Sequence, residues 1–204
     1  MGIRRRSRWR LLTVADAGRV IAGSARGIRL AAPGPGTRPL SDRVKQTLFA
    51  ILEPDLPGAR VLDLFAGSGA AGIEALSRGA AGATFVESDA AAIRVLSENL
   101  ERTHLAGEAN AVRGDVLRWL GRDGVIAGPF DVVFADPPYA ESEVLVRVLE
   151  LLGASPGLVA PGGRVVAKHF WRDRPPATVG LLASERERRF GETALTFYRR
   201  QEDG

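Results

Sequence analysis

Two stretches of this chain place reactive side chains and tight turns where chemistry could be done. The first is Phe130-Asp-Val-Val-Phe-Ala-Asp136-Pro137-Pro138-Tyr139. Two consecutive prolines after a buried-type run fix the backbone and remove two N–H donors. The Asp136 carboxylate and the Pro137 carbonyl are left as fixed acceptors. Tyr139 adds a flat ring. Acceptors beside an aromatic face complement an exocyclic amine on a planar base, which offers two in-plane N–H donors and a π surface for stacking. The plainer alternative is a rigid loop with Asp136 as an N-cap. The second stretch is Val61-Leu-Asp63-Leu-Phe-Ala66-Gly67-Ser-Gly69-Ala-Ala-Gly72. It reads as a buried strand, a tight turn and a helix start. Gly67 and Gly69 allow positive φ and close approach of a ligand, and the helix beginning near Gly69 aims unpaired N–H groups at it. The same glycines satisfy the dinucleotide pattern G-x-G-x-x-G, with Glu87 about twenty residues on. The turn alone therefore fits a dinucleotide, another nucleotide-like ligand, or a strand-to-helix corner with no ligand.

These stretches need a sheet to hold them. From Arg60 the chain repeats a βα pattern, with apolar runs at Val61 to Leu64, Ala83 to Val86, Ala111 to Val112, Asp131 to Ala135 and Arg164 to Ala167. Helices fall between them: Ile93, Leu96 and Leu100 mark one face, and Leu145, Val148, Leu149 and Leu152, capped by Ser142, mark another. This predicts a doubly wound α/β sheet. Asp63, Glu87, Asp115 and Asp136 stand at or just past the first four strands, so they should converge on one crevice at the carboxyl edge. The segments Thr178 to Leu182 and Ala194 to Tyr198, joined through Arg186, Arg188, Arg189 and Gly191, predict a closing antiparallel pair.

Ahead of the sheet, residues 1–18 hold five arginines around Trp9 without sustained periodicity and read as a flexible basic arm. Residues 19–58 form an appendage: two β-type runs between Arg19 and Leu30 predict a hairpin, followed by a proline-rich loop through Pro39. Next comes a helix capped by Ser41, with Val44, Leu48, Ile51 and Leu52 on its packed face and Arg38, Arg43 and Lys45 outside that face. Residues 59–204 make the main domain. Residues 1–50 carry ten arginines and Lys45 against Asp16 and Asp42, a surplus of nine positive charges. With a net charge of +4 overall, the remainder carries −5. A basic end of this kind suits a polyanionic partner. Arg19, Arg26, Arg29, Arg38 and Arg43 are the phosphate-contact candidates.

The chain has no cysteine, which excludes disulfides and thiolate chemistry and fits a cytoplasmic address. No run of eighteen apolar residues exists to span a membrane. His104 and His169, the two histidines, have no partners at metal-ligand spacing, so neither a metal nor a histidine base is expected.

Taken together, the glycine turn and the Asp-Pro-Pro-Tyr loop resemble the amino methyltransferases that use S-adenosylmethionine. The likeness extends through Arg19-Val-Ile-Ala-Gly, Gly36-Thr-Arg-Pro39, Asp42-Arg-Val44, Leu48-Phe49, Asp63-Leu-Phe-Ala-Gly-Ser-Gly-Ala70, Glu74-Ala-Leu-Ser-Arg-Gly-Ala80, Phe85-Val-Glu-Ser-Asp89 and Phe190-Gly-Glu-Thr-Ala-Leu-Thr-Phe-Tyr-Arg199. Over nearly the whole chain from Arg19 it is similar to the bacterial 16S ribosomal RNA guanine-N2 methyltransferases of the RsmD type. That resemblance implies a Rossmann-like methyltransferase fold, with a mostly parallel seven-stranded sheet, an antiparallel C-terminal strand and the small hairpin-and-helix appendage as an RNA-binding element. It implies S-adenosylmethionine as methyl donor. Asp63, Ala66, Gly67 and Gly69 would hold its methionine end, Glu87 its ribose hydroxyls, and Asp115 with Val116 its adenine. Asp136, Pro137 and Tyr139 would grip the guanine amine, and the partner would be 16S rRNA within an assembled or partly assembled small subunit. The chain departs from the family pattern before Arg19, at Gln46 where an acid is common, and at Lys168-His169 where a glutamate often ends the fifth strand. An adenine-N6 DNA methyltransferase shares both motifs, a nicotinamide oxidoreductase shares the glycine turn and Glu87, and a catalytically idle RNA-binding module is a third alternative.

Overall fold

The computed structural model describes residues 16–34, 40–122, 127–138 and 142–202, with Ser142 described by its backbone. Tyr139, Arg38 and the Ser142 side chain lie outside the described positions. Runs rich in Val, Leu and Phe form the parallel centre of a sheet in β3 (Arg60–Leu64), β4 (Gly82–Glu87), β6 (Phe130–Ala135) and β7 (Val159–Phe170), and the more polar β5 (Ala109–Arg113) adds a parallel strand at the edge beside β4. The opposite edge is completed by β8 (Thr178–Val179), β9 (Leu182–Phe190) and β10 (Thr193–Arg200). Strand order is β5-β4-β3-β6-β7-β10-β9-β8, with β10 antiparallel to β7 and to β9. The seven strands expected are thus joined by a two-residue eighth, which pairs with the start of β9.

Because β4 and β5 lie on one side of β3 while β6 and β7 lie on the other, the strand order reverses between β3 and β6. Crevices open at such switch points. Both chemical motifs leave the sheet there. The closing antiparallel pair forms as expected but later in sequence: Arg186, Arg188 and Arg189 lie inside β9 instead of linking two strands.

Helices cover both faces. On one, α1 (Asp42–Leu52), α2 (Ala70–Ser77) and α3 (Ala90–Thr103) pack with Val61, Phe85, Phe134, Val166, Leu195 and Phe197. On the other, α4 (Val116–Arg122) and α5 (Ser142–Ala154) cover Leu62, Leu64, Val133, Val165 and Tyr198. Each fully buried side chain of this size stabilises the fold by about 1.5–3 kcal/mol. Ser41 caps α1 through the Val44 N–H at 3.4 Å, and Phe49 on that helix meets Phe134 at 5.7 Å between ring centroids.

The hairpin forms from β1 (Asp16–Arg19) and β2 (Arg29–Ala31), an antiparallel pair that begins three residues ahead of position 19. Its turn is longer than the sequence suggests because other partners take the backbone. Buried Glu74 accepts from the N–H groups of Ile21 and Ala22 at 2.7 and 3.0 Å, and Ser77 Oγ accepts from Ala25 N–H at 2.9 Å. A side chain at Gly23 would collide with the Ser77 carbonyl at 1.6 Å, so only glycine permits this approach. Buried Asn99 of α3 clips β2 to the glycine turn: it pairs with both backbone groups of Ala31 and donates to the Ser68 carbonyl at 2.9 Å. Lys45 corrects the expectation that it sits outside the packed face of α1. It is fully buried, with Nζ donating to the Arg19 carbonyl at 2.6 Å. Burial pushes its pKa down, opposed by Glu74, Asp42 and Asp16. Among the described residues, no helix is long and apolar enough to cross a membrane.

Candidate active site

One cavity of about 710 Å³ opens at the switch point and gathers both motifs. Asp63, Ala66, Gly67, Glu87, Asp115 and Val116 line it, and so do Asp136 and Pro137. Among the described residues its charged lining is four acids, Asp63, Glu87, Asp115 and Asp136, against one cation, Lys168. The four acids therefore converge as the βα pattern predicts. The appendage contributes Ala17, Leu40 and Leu48 to the same wall.

Asp63, the penultimate residue of β3, has only 3% of its surface exposed, and its Oδ2 accepts from the Gly72 N–H at 2.9 Å. Desolvation raises its pKa to about 8, with the charges of Asp136 and Glu87 adding to the rise and the Gly72 hydrogen bond opposing it. A carboxyl held this way gains most from a cationic ligand, because a nearby positive charge restores the ionised form. Gly72 has its own steric reason to be glycine, since a Cβ there would meet the Phe85 ring at 2.3 Å.

The loop that follows is tighter than its two glycines suggest. Phe65, Gly67 and Gly69 all have positive φ, at 60°, 54° and 78°. For a bulky residue such as Phe65 this conformation is strained, and it lies in the cavity wall. The sequence carries no signal for that strain. Gly67 lines the cavity, but Gly69 does not: a Cβ on it would strike Leu96 at 2.2 Å, so it serves the turn and the packing behind it. The expectation of unpaired N–H groups holds only for Ala70 and Ala71, which begin the helix and line the cavity, since the three glycine N–H groups are already engaged. Gly67 N–H donates to Glu87 Oε2 at 2.9 Å, Gly69 N–H to the Ala66 carbonyl at 2.7 Å, and Gly72 N–H to Asp63. Acids of the site itself occupy donors that a phosphate would need.

Glu87 closes β4, and its other oxygen accepts from Asp89 N–H at 2.8 Å. Asp115 also caps α4, accepting from the Arg118 N–H at 2.9 Å. A carboxylate has about four acceptor positions, so neither residue is exhausted by these bonds.

At the lip, Asp136 follows β6 and Pro137 is buried behind it. Lys168 Nζ lies 2.7 Å from Asp136 Oδ1 and 2.8 Å from Oδ2, bridging the carboxylate. Desolvation in the cleft raises the Asp136 pKa while Lys168 opposes the rise; the side chain keeps 36% exposure, so desolvation is partial. The sequence marks Lys168 as a departure but gives no hint of this partner. Only the parallel register of β6 and β7, with Ala135 beside Ala167, brings the two together. Among the described residues no cluster of His, Cys, Asp and Glu could hold a metal ion.

The phosphate-contact candidates Arg19, Arg26, Arg29 and Arg43 are all exposed, while Arg38 lies outside the described residues. Two of them are engaged locally: Arg19 pairs with Asp42 at 3.0 Å and Arg29 pairs with Asp16.

Residues 18–199 match the family described as Conserved hypothetical protein 95. The small-subunit ribosomal RNA methyltransferase D of Escherichia coli is 38% identical, with 91% of each chain covered. The chain belongs to the methyltransferase D family. A Bacillus subtilis relative named a putative rRNA methyltransferase is also 38% identical, over 90% of this chain and 99% of its own. A solved structure of a putative methyltransferase from E. coli superimposes with a TM-score of 0.78 at 38% identity, covering 91% of this chain and 98% of that one. The fold is accordingly that of the methyltransferase D family, with its parallel centre and antiparallel C-terminal edge, as the sequence resemblance implies.

Proposed function

We propose that this chain methylates the exocyclic N2 amine of a guanine in 16S rRNA, taking the methyl group from S-adenosylmethionine. The observation that carries the reading is the single cavity in which Asp63, Glu87 and Asp115 face the Asp136-Pro137 lip. S-adenosylmethionine, when bound, supplies an electrophilic methyl group on a cationic sulfonium. The cavity suits such a ligand: its lining is acid-rich, and the raised pKa of Asp63 falls back when a positive charge arrives. Asp63 and the Gly67 turn hold the methionine end, Glu87 accepts from the ribose hydroxyls, and Asp115 with Val116 accommodates the adenine. A nicotinamide dinucleotide fits poorly, because its anionic pyrophosphate would meet Glu87 where the Gly67 N–H is already taken.

Guanine N2 is a poor nucleophile, since its lone pair is delocalised into the ring. The Asp136 carboxylate and the Pro137 carbonyl accept its two hydrogens, which returns electron density to the nitrogen as it pyramidalises. Pro137 and Pro138 bring no N–H donors to compete for those acceptors. Lys168 orients Asp136 and favours its ionised form. Asp136 takes the proton late, once methylation has acidified the amine. Tyr139 stacks on the extruded base, and a loop or single strand makes extrusion inexpensive.

Asp136→Ala is the test. Methyl transfer to small subunits from cells lacking this protein should fall at least about a thousandfold, with donor affinity by calorimetry within about twofold of wild type. Retained turnover would remove Asp136 from the chemistry. Mapping methylated bases in those cells distinguishes guanine N2 from the adenine-N6 alternative.

A further inference from the structure

Strand β9 carries Glu185-Arg186-Glu187-Arg188; from Arg186 onward successive side chains point to opposite faces, while Glu185 is the extra residue of a bulge. The register assigns them. Arg186 lies opposite Phe197 and Arg188 opposite Leu195 on β10, and these lie opposite Val166 and Lys168 on β7. Val166, Lys168 and Leu195 line the cavity. With Lys168 bridging Asp136, one cross-strand row runs Asp136, Lys168, Leu195, Arg188. It spans about three strand spacings, roughly 14 Å.

Glu187 occupies the other face, where it meets Arg174, whereas Glu185 lies on the same face as Arg186 and Arg188 and is bound there by both Arg164 and Arg199. Arg186 and Arg188 are exposed, and the Arg188 guanidinium donates to the Glu187 carbonyl at 3.0 Å instead of to a carboxylate. The next row toward the carboxyl edge is Phe170, Thr193, Phe190, with both rings half-buried. The one glutamate of this stretch on the face that continues the cavity is thus neutralised by two arginines, while Arg186, Arg188 and the partly exposed rings remain on it.

We propose that this face of β9 is a second RNA contact, distinct from the appendage arginines. It takes the single-stranded segment next to the target base, with phosphates on Arg186 and Arg188 and a neighbouring base against Phe170 and Phe190. Charge complementarity and the unbroken row to Asp136 select RNA as the occupant, because phosphates supply affinity and aromatic faces accept unstacked bases. The inference rests on the proposed function.

The test is the double variant Arg186→Ala/Arg188→Ala, bound to small subunits from cells lacking this protein, whose 16S rRNA is unmodified, across a salt series. Losing two single-strand phosphate contacts should flatten the log–log salt slope by about 1.4 and weaken binding about tenfold near 0.1 M salt. Donor affinity and Tm should stay unchanged, and Arg186→Lys/Arg188→Lys should recover most of the loss. A double alanine variant that binds these subunits with the wild-type affinity and slope, while the wild type methylates normally, overturns this surface and leaves the proposed function standing. A wild type that neither binds these subunits salt-dependently nor methylates them overturns both.

Discussion

Replacing Asp63 by Asn tests the electrostatics on which donor binding depends. In the folded protein its carboxyl titrates near 8, against 3.8 for the unperturbed group. The folded pKa lies above the unfolded one, so this group's contribution to stability is fully present below about pH 4 and is lost progressively as the pH rises to about 8. Each pH unit between the unfolded and folded pKa corresponds to about 1.36 kcal/mol, so by pH 7 the loss reaches about 4 kcal/mol, a large share of the roughly 5–15 kcal/mol typical of a domain. Asparagine keeps an oxygen for the Gly72 N–H and cannot ionise, but its buried NH2 costs about 1–3 kcal/mol if left without an acceptor. Asp63→Asn should therefore be close to neutral or destabilising at pH 5 and stabilising by about 1–3 kcal/mol at pH 7–8. Urea denaturation of the ligand-free protein from pH 5 to 8.5 reads the difference, and the other titrating groups largely cancel between the two proteins. The same reasoning requires wild-type donor binding at pH 7 to release about one proton, measurable by calorimetry in two buffers of different ionisation enthalpy, and Asp63→Asn to abolish that release. A stability gap that stays flat with pH, together with no proton release, would refute the assignment of a buried, conditionally neutral carboxyl.

Two further perturbations probe neighbouring parts of the site. Lys168→Met removes the cation bridging Asp136; an opposite charge at about 4 Å contributes about 4 kcal/mol at an effective dielectric constant of 20, and solvent reduces a partly exposed pair to about 1 kcal/mol. The acid limb of kcat should move to higher pH, donor affinity should hold, and a pH profile lowered without displacement would show that Lys168 acts on something else. Asn99→Ala strands the Ala31 backbone groups and the Ser68 carbonyl, so stability should drop by roughly 2–4 kcal/mol. Because Ser68 belongs to the glycine turn, donor affinity should fall with it; unchanged affinity in calorimetry would mean the turn holds its shape without that tether.

Much of the fold was legible because its period is simple. Buried parallel strands read as short apolar runs, and Asp63, Glu87, Asp115 and Asp136 stand where those runs end, so their convergence follows from the doubly wound topology alone. Side chains whose partners come from distant segments were not legible. Lys45 looks like a surface lysine on a helix, and only the hairpin folding back places the Arg19 carbonyl against it. Lys168 reads as a departure from a pattern until register puts it on Asp136. Phe65 gives no sign of its positive φ, because the turn imposes it. Arg186 and Arg188 read as part of a link between strands, since alternating charge in a strand lacks the apolar alternation by which strands are usually found.

The charge layout sets a problem that any substrate RNA must meet: a polyanion has to approach a cleft lined by four carboxylates. Exposed carboxylates would repel it, but these are managed individually. Asp63 is pushed toward its neutral form, Glu87 and Asp115 are turned onto backbone N–H groups, and Asp136 is bridged by Lys168. The cations proposed to attract RNA stand outside the cavity, on the appendage and on the Arg186–Arg188 face, where salt screens their field over a Debye length of about 10 Å at 0.1 M. Steering and recognition of the base are thereby separated in space. Raising salt should slow capture of the RNA through the rim arginines while leaving the methyl-transfer step, set within the screened interior, largely unchanged: KM for RNA rises steeply and kcat holds. If kcat instead fell in parallel with 1/KM, the cations would be acting inside the chemical step, and the division between rim and cleft would be wrong.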